Sequence, residues 1–164
     1  MYEQEPVLKD CLILRGLIIW RLLQSILADK LIEEIKKFTI GNRVAGNVKL
    51  NSETKEFLNS ILQGIPEFAP IFGKSQHSMQ KYSLDVHILK VLQDSVNDPL
   101  YNQLGDTDKI VLKFSTLLHD IGKRYLVDGS DTGHAAKSAE YVYSILYRFN
   151  FEPEIKDRII SVVS

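Results

Sequence analysis

Apolar residues recur every three or four positions through most of this chain, and that period limits the possible folds more than any other feature. Such spacing places side chains on one face of an α-helix, where they can be buried together. The clearest stretch is "DTDKIVLKFSTLLHDI", residues 106–121, with apolar side chains at Ile110, Val111, Phe114, Leu117, Leu118 and Ile121. No segment shows the sustained alternation that favours a strand. The chain is therefore predicted to be all-α.

Capping residues and helix breakers predict where the helices begin and end. Ser83 is an N-cap candidate for "SLDVHILKVLQDSV", because a serine hydroxyl can accept from free backbone N–H groups in the first turn. The helix over 106–121 is predicted to open with Asp or Thr caps and to stop at Gly122. Another helix is predicted to begin near Gly133, and Pro153 suits the first turn of the last one.

The stretch "QGIPEFAPIFGK" contains two prolines and two glycines, and it is predicted to connect two parts of the chain. Residues 1–64 are predicted to form an N-terminal helical segment, in which a short helix starts at Ser52, and residues 65–164 are predicted to form the domain that follows. Before Ser52, "TIGNRVAGNVKLN" breaks the helical period with two Gly-Asn pairs. That stretch is predicted to be a turn region or a small hairpin.

One apolar segment, Cys11–Ala28, is long enough to be tested as a membrane helix. Arg15, Arg21 and Gln24 interrupt it. Each arginine at the centre of a membrane helix costs about 2.5–3.5 kcal/mol, which largely cancels the gain from several leucines. A helix buried against protein, with the two arginines reaching its edge, is predicted instead of a membrane span.

Composition excludes several classes of function. Charged residues make up 25% of the 164 residues and the formal net charge is −1, so no basic arm for nucleic acid is expected. Cys11 is the single cysteine, which leaves neither an internal disulfide nor a cysteine metal knuckle. A reducing, cytoplasmic location is expected for such a chain.

The four histidines are the main candidates for chemistry, and they are His77, His87, His119 and His134. Three of them lie on three successive predicted helices, and Asp120 directly follows one of these histidines. Neutral imidazoles and a carboxylate are a common ligand set for a hydrolytic divalent metal. Neighbouring residues point about 100° apart around a helix, but an irregular last turn can aim both inward. The grouping favours a metal site over chance capping or surface histidines.

Three motifs in order resemble the HD superfamily of metal-dependent phosphohydrolases. "LLHDIGK" is similar to the central signature of that family, "DVHILKVL" to its upstream histidine helix and "TGHAAKSAE" to its downstream one. The resemblance covers about Lys81 to Val163. It implies an HD-type helical bundle and a divalent metal (Mn, Mg, Fe, Zn or Ni) on His87, His119 and Asp120.

A narrower resemblance covers "IPEFAPIFGKSQHSMQKYSLDVHILKVL", Ile65–Leu92. This stretch is similar to the start of the HD region in bifunctional uridylyltransferase/uridylyl-removing enzymes, which modify PII nitrogen-signalling proteins. The resemblance implies a nucleotide or a nucleotidylated, PII-like protein as substrate, with removal of UMP from a tyrosyl-UMP. No nucleic acid and no membrane partner is expected.

The resemblance also implies a fourth metal ligand, an aspartate on a later helix. The chain ends at Ser164 in what reads as the helix before it, so a C-terminally incomplete HD domain is expected. Asp157 could substitute for this ligand because it is also an aspartate. A charged residue between Lys156 and Arg158, however, is more simply interpreted as part of a solvent-exposed helix face. The alternative to an enzyme is therefore an incomplete HD module that senses a nucleotide or binds a partner.

Residues near the predicted metal ligands are assigned catalytic and substrate-binding roles. Asp120, Lys123 and His134 are the predicted catalytic residues, and Lys123, His134 and His77 are predicted to contact substrate. Lys123 can neutralise a phosphate or, alternatively, complement a helix C-terminus. His134 can bind a second metal, contact phosphate or pass a proton to the leaving group, unless it is only a surface residue at a helix start. His77 is expected at the rim of the site.

Overall fold

The structure is a computed structural model that describes residues 22–23, 26–37, 52–76, 82–125 and 133–164. Within these ranges it contains helices and turns but no strand, which confirms the all-α prediction. The α-helices are α1 (26–37), α2 (Ser52–Gly64), α3 (Leu84–Asn97), α4 (Asp106–Leu118), α5 (His134–Leu146) and α6 (Pro153–Val163). Short 3₁₀ helices span Pro66–Ile71, Pro99–Gln103 and Ile121–Tyr125.

Two predictions fall on parts of the chain that the structure does not describe. The turn or hairpin over 39–51 lies outside the described residues, and so does most of the apolar segment Cys11–Ala28. Among the helices that the structure does describe, none combines the length and the apolar character needed to cross a bilayer. The division of the chain at residue 65 stays a prediction.

The predicted helix limits are correct at some positions and wrong at others. Ser83 is the N-cap of α3, although its hydroxyl makes no capping hydrogen bond. Gly133 precedes α5 with a positive φ of 83°, and Pro153 opens α6. The predicted limits of α4 are wrong at both ends. Gly105 is its N-cap, in place of an Asp or Thr, and α4 ends at Leu118, before Gly122.

The early end of α4 has a local cause. The chain tightens after Leu118 into the 3₁₀ helix Ile121–Tyr125, where Lys123 N–H donates to the Asp120 carbonyl at 2.9 Å. Gly122 lies inside this 3₁₀ helix and does not adopt the positive φ of a helix C-cap. The sequence "HDIG", residues 119–122, therefore forms a tight turn that begins directly after α4.

The buried apolar side chains of all six helices form one hydrophobic cluster. Helix α4 packs against α3 and α6, while α5 packs against α6 and against the 3₁₀ helix Ile121–Tyr125. At the centre, the Phe114 ring meets the edges of Phe149 and Phe151, with centroids 5.2 and 4.9 Å away. Phe149 and Phe151 lie in the segment between α5 and α6, so this packing holds that segment against α4.

A two-pronged ion pair fastens the 3₁₀ helix Pro66–Ile71 to the chain beyond α5. The Arg148 guanidinium donates to both carboxylate oxygens of Glu67, at 2.7 and 2.6 Å. Both side chains are partly buried, and such parallel hydrogen bonds to a carboxylate are stronger than neutral ones. The connector predicted from its prolines and glycines is thus held in place.

Lys113, near the middle of α4, is unusually buried for a lysine. It is 3% exposed, and its ammonium donates to the Lys36 carbonyl at the end of α1 (2.8 Å). Burial, together with the neighbouring charge of Lys109, lowers the pKa of Lys113 to about 8. Since an unfolded lysine has a pKa of about 10.4, the unfolded chain binds more protons than the native one between these values. Native stability gained from this group therefore rises with pH.

We expect Lys113→Met to remove that pH dependence. The free energy of unfolding of the wild type, minus that of the variant, should increase by about 1–2 kcal/mol between pH 8 and 10. Urea unfolding followed by circular dichroism at several pH values measures it. Lys90→Met, which alters an exposed lysine on α3, is the control and should give a constant difference. A constant difference for Lys113→Met as well would contradict the prediction.

Candidate metal centre

The Asp120 carboxylate is the centre of a cluster of basic side chains. Its side chain is 2% exposed. Three nitrogens approach Oδ2: Lys123 Nζ at 3.1 Å, His119 Nε2 at 3.3 Å and His87 Nε2 at 3.5 Å. The other oxygen, Oδ1, faces His134 Nε2 at 3.7 Å. The structure therefore gathers four of the predicted side chains around a fifth, the Asp120 carboxylate.

Each of these side chains comes from a different point of the fold. His87 lies in the first turn of α3, and its backbone N–H donates to the Ser83 carbonyl at 2.8 Å. His119 is the C-cap residue of α4, and Asp120 follows it in the turn. Lys123 belongs to the 3₁₀ helix, whereas His134 is the first residue of α5. The turn after α4 is what lets adjacent His119 and Asp120 point to the same place.

The orientation of His119 is fixed by its own helix. Its Nδ1 lies 2.6 Å from the Thr116 carbonyl. A carbonyl oxygen can only accept, so Nδ1 donates to it, and Nε2 is the ring nitrogen that faces the Asp120 carboxylate. Metal-binding histidines usually donate their second ring nitrogen in this way, which sets the tautomer and the ring angle. The His87 ring lies edge-on to it, with the centroids 5.7 Å apart.

Among the described residues, His87, His119 and Asp120 could together hold a metal ion. One potential ligand atom from each lies within 4.8 Å of the others. Two ligands that each lie about 2.1 Å from a metal, at tetrahedral or octahedral angles, are roughly 3.0–3.5 Å apart. The 3.3 and 3.5 Å separations between the imidazoles and Oδ2 match that range. Two nitrogens and one carboxylate oxygen suit a borderline divalent cation.

The electrostatics of the three groups differ. Burial alone would raise the pKa of Asp120, but the hydrogen bonds and charges of His119 and Lys123 outweigh burial and lower it to about 2. Burial also opposes protonation of His119, yet the Asp120 carboxylate and the Thr116 carbonyl raise its pKa. Burial lowers the pKa of His87, and the attraction of Asp120 does not compensate for it. At neutral pH the site thus has an ionised carboxylate and a neutral His87.

We expect the affinity for a divalent cation to fall as the pH is lowered through the pKa of His119. A protonated imidazole has no lone pair for a metal, so each bound cation must displace the proton that His119 holds below its raised pKa. The apparent association constant for Mn²⁺ should decrease about tenfold per pH unit below that pKa and level off above it. Calorimetric titration between pH 5.5 and 8.5 measures it. An affinity that is flat over this range would contradict the prediction.

The two remaining candidates from the sequence are His77 and Asp157. His77 lies outside the described residues, so its placement at the rim stays a prediction. Asp157 is exposed on α6, as expected for a charge that faces solvent, and it does not belong to the described ligand cluster.

The sequence did not point to the junction of Gly122 and Ser138, which holds the turn against α5. Gly122 N–H donates to the Ser138 hydroxyl at 2.9 Å, and Ser138 is fully buried. A Cβ at position 122 would lie 2.5 Å from the His134 carbonyl oxygen. The only sequence signal is a serine four residues after His134, on the same helix face.

No protein-family model, curated protein or solved structure matches the chain at a significant level. Its own residues therefore carry the functional inference. They define a class of site: a buried carboxylate between two imidazoles, with a lysine and a third histidine beside it. That is the chemistry of a candidate divalent-metal centre next to positively charged groups.

Proposed function

We propose that this chain is an HD-type metal-dependent phosphohydrolase or phosphodiesterase, which acts on a nucleotide or a nucleotidylated protein. The observation that carries the proposal is the convergence of His87, His119 and Asp120, which come from α3, α4 and the turn after α4. The same three residues occupy the ligand positions in the motifs that resemble the HD superfamily. Geometry and motif thus agree on the ligands.

His87, His119 and Asp120 would hold the divalent cation. When bound, such a cation supplies Lewis acidity, which activates water toward phosphorus and withdraws charge from a phosphoryl oxygen. His87, whose pKa burial lowers, is available as a neutral ligand. The Thr116 carbonyl accepts from Nδ1 of His119 and so keeps Nε2 facing the Asp120 carboxylate. Asp120 contributes the negative charge that a cation needs in a buried setting.

Lys123 and His134 supply the remaining functions. Lys123 Nζ lies beside the carboxylate and its side chain is 15% exposed, so a phosphate that enters the site meets a partly desolvated positive charge. His134 is 28% exposed and faces Oδ1 of Asp120, whereas the two candidate ligand histidines approach Oδ2. From there its imidazole can donate a proton to the leaving oxygen as the phosphorus–oxygen bond breaks.

The narrower resemblance favours a particular leaving group. The residues similar to the uridylyl-removing enzymes precede α3 in sequence and include its first part, and among those that the structure describes Gln76 donates to the Tyr82 carbonyl at 3.1 Å. Hydrolysis of a tyrosyl-UMP adds water oxygen to phosphorus and releases UMP. The tyrosine oxygen leaves with a proton, which His134 would provide in this proposal.

The test is hydrolysis by the full chain with added Mn²⁺. We expect turnover of bis-p-nitrophenyl phosphate, faster turnover of a uridylylated tyrosine in a PII-like protein, and loss of both with EDTA. His87→Gln should abolish both activities, whereas Lys90→Met, one turn further along α3 and exposed, should leave them unchanged. If Mn²⁺ binds at the site but neither substrate is cleaved, the chain is a metal-binding regulatory module and the enzymatic proposal is wrong.

A further inference from the structure

Hydrogen bonds join Lys74, which precedes α3 in the chain, to residues of other elements. Its backbone N–H donates to the Ile71 carbonyl at 3.1 Å, which closes the 3₁₀ helix Pro66–Ile71. Its own carbonyl accepts from Leu84 N–H at 2.9 Å, at the first residue of α3. Its ammonium donates to the Lys123 carbonyl, also at 2.9 Å. One residue therefore contacts three separate elements.

One of those elements contains a metal-ligand candidate and another directly follows one. Leu84 lies three residues before His87, in the same helical turn of α3. Lys123 lies three residues after Asp120, and the two are joined by both a backbone hydrogen bond and an ion pair. The third element, Pro66–Ile71, packs against the 3₁₀ helix Ile121–Tyr125 and is fastened by the Glu67–Arg148 pair. Lys74 thus links the turn that carries Asp120 to the helix that carries His87.

The Lys74–Lys123 bond has the features of a structural clamp. It joins residues 49 apart in sequence and is partly buried, so water competes for it less than at the surface. A cation that donates to a backbone carbonyl forms a charge-assisted bond, which is shorter and stronger than a neutral one. The accepting carbonyl belongs to the 3₁₀ helix Ile121–Tyr125, which directly follows Asp120. Loss of the bond should therefore loosen residues 120–123 before it affects the rest of the fold.

We propose that Lys74 is a positioning residue, which sets the separation between His87 and the His119–Asp120 pair by holding their two elements together. The inference rests on the proposed metal centre for its functional consequence, but the clamp itself involves only residues of this chain. Metal ligands must be held within a fraction of an ångström of their productive places, and the residues that support them are commonly worth 10–100-fold in affinity.

The experiment compares Lys74→Met, Lys74→Arg and Lys90→Met as full chains. Methionine keeps the length and apolar stem of lysine but cannot donate, whereas arginine keeps the charge and the donors. Lys90→Met alters an exposed lysine on the same helix as His87. Two quantities are measured: Co²⁺ affinity with its visible absorption spectrum, and amide hydrogen exchange over residues 120–123 without metal.

We expect Lys74→Met to weaken Co²⁺ binding about tenfold, to change the intensity or position of the visible bands, and to speed exchange in the turn about tenfold. Lys74→Arg should keep the Co²⁺ affinity, the spectrum and the exchange rate close to those of the wild type. Lys90→Met should change none of the three. A spectrum and an exchange rate unchanged in Lys74→Met, or no rescue by Lys74→Arg, would overturn the positioning role. If the wild type binds no Co²⁺, the metal-centre proposal fails, and the exchange rates alone then decide whether Lys74 clamps the turn.

Discussion

Asp120→Asn is expected to reduce the affinity for divalent cations by more than about 100-fold. Loss of a residue that only supports a ligand commonly costs about 10–100-fold, and Asp120 is itself a ligand candidate and the sole carboxylate of the described cluster. Asparagine has nearly the same shape, so the packing around this buried position is preserved. It lacks the negative charge that offsets Lys123 and His119, both within 3.3 Å of Oδ2.

The substitution also changes the neighbouring imidazole. The Asp120 carboxylate is a main reason that the pKa of His119 is raised, so this pKa should fall in Asp120→Asn. The pH dependence of any residual metal binding should therefore weaken, and the far-ultraviolet circular dichroism should stay near that of the wild type. Calorimetric titration with Mn²⁺ measures the affinity, and NMR titration of the imidazole protons measures the pKa.

Asp157→Asn is the matched control for Asp120→Asn. Asp157 is an exposed aspartate on α6 and the alternative ligand suggested by its residue type. Because it lies outside the described cluster, its substitution should leave Mn²⁺ affinity within about twofold of the wild type. Equal losses in the two variants, or no loss in Asp120→Asn, would contradict the assignment of Asp120 as the central ligand.

Gly122→Ala is expected to destabilise the fold by about 2–4 kcal/mol, toward the upper end of what overpacking costs. A Cβ at this position would lie 2.5 Å from the His134 carbonyl oxygen and 2.7 Å from the Ser138 backbone nitrogen. Both are backbone atoms of α5, which cannot rotate out of the way as a side chain can. The turn and α5 must separate, which also moves His134 away from Asp120. Urea unfolding followed by circular dichroism measures the loss.

Gly105→Ala serves as the control for a glycine-to-alanine change as such. Gly105 is the N-cap of α4 with a φ of −66°, and an added Cβ would meet only the Asp108 carboxylate at an ordinary 3.7 Å. Its substitution should cost less than about 1 kcal/mol. A similar cost at both positions would show that the close contact of the turn with α5 has little importance for stability.

The sequence predicted the helices well because their signal is local. A period of three or four residues in the apolar positions is a property of each helix alone, and burial of Phe114, Leu117 and Leu118 in α4 follows it directly. The gathering of His87, His119 and Asp120 was predicted from motif order and from the resemblance to a known family. That inference required only that the helices that carry these motifs pack together.

The remaining features depend on contacts between distant segments. Gly122 was interpreted as a helix stop, because its close approach to Ser138 is visible only once α5 is in place. Lys74 and Lys113 carry no sequence signal, since their ammonium groups bind backbone carbonyls 49 and 77 residues away. The sequence thus predicts the candidate ligands of the site, but it does not predict the contacts that hold these ligands in place.

The most direct test of the metal centre is a calorimetric titration of the wild-type chain with Mn²⁺ and Zn²⁺ at pH 8, with the bound metal counted by elemental analysis. We predict saturable binding of at least one ion per chain, which is lost in His87→Gln, His119→Gln and Asp120→Asn alike. Lack of saturable binding by the wild type, or binding that survives all three substitutions, would contradict the account of this site.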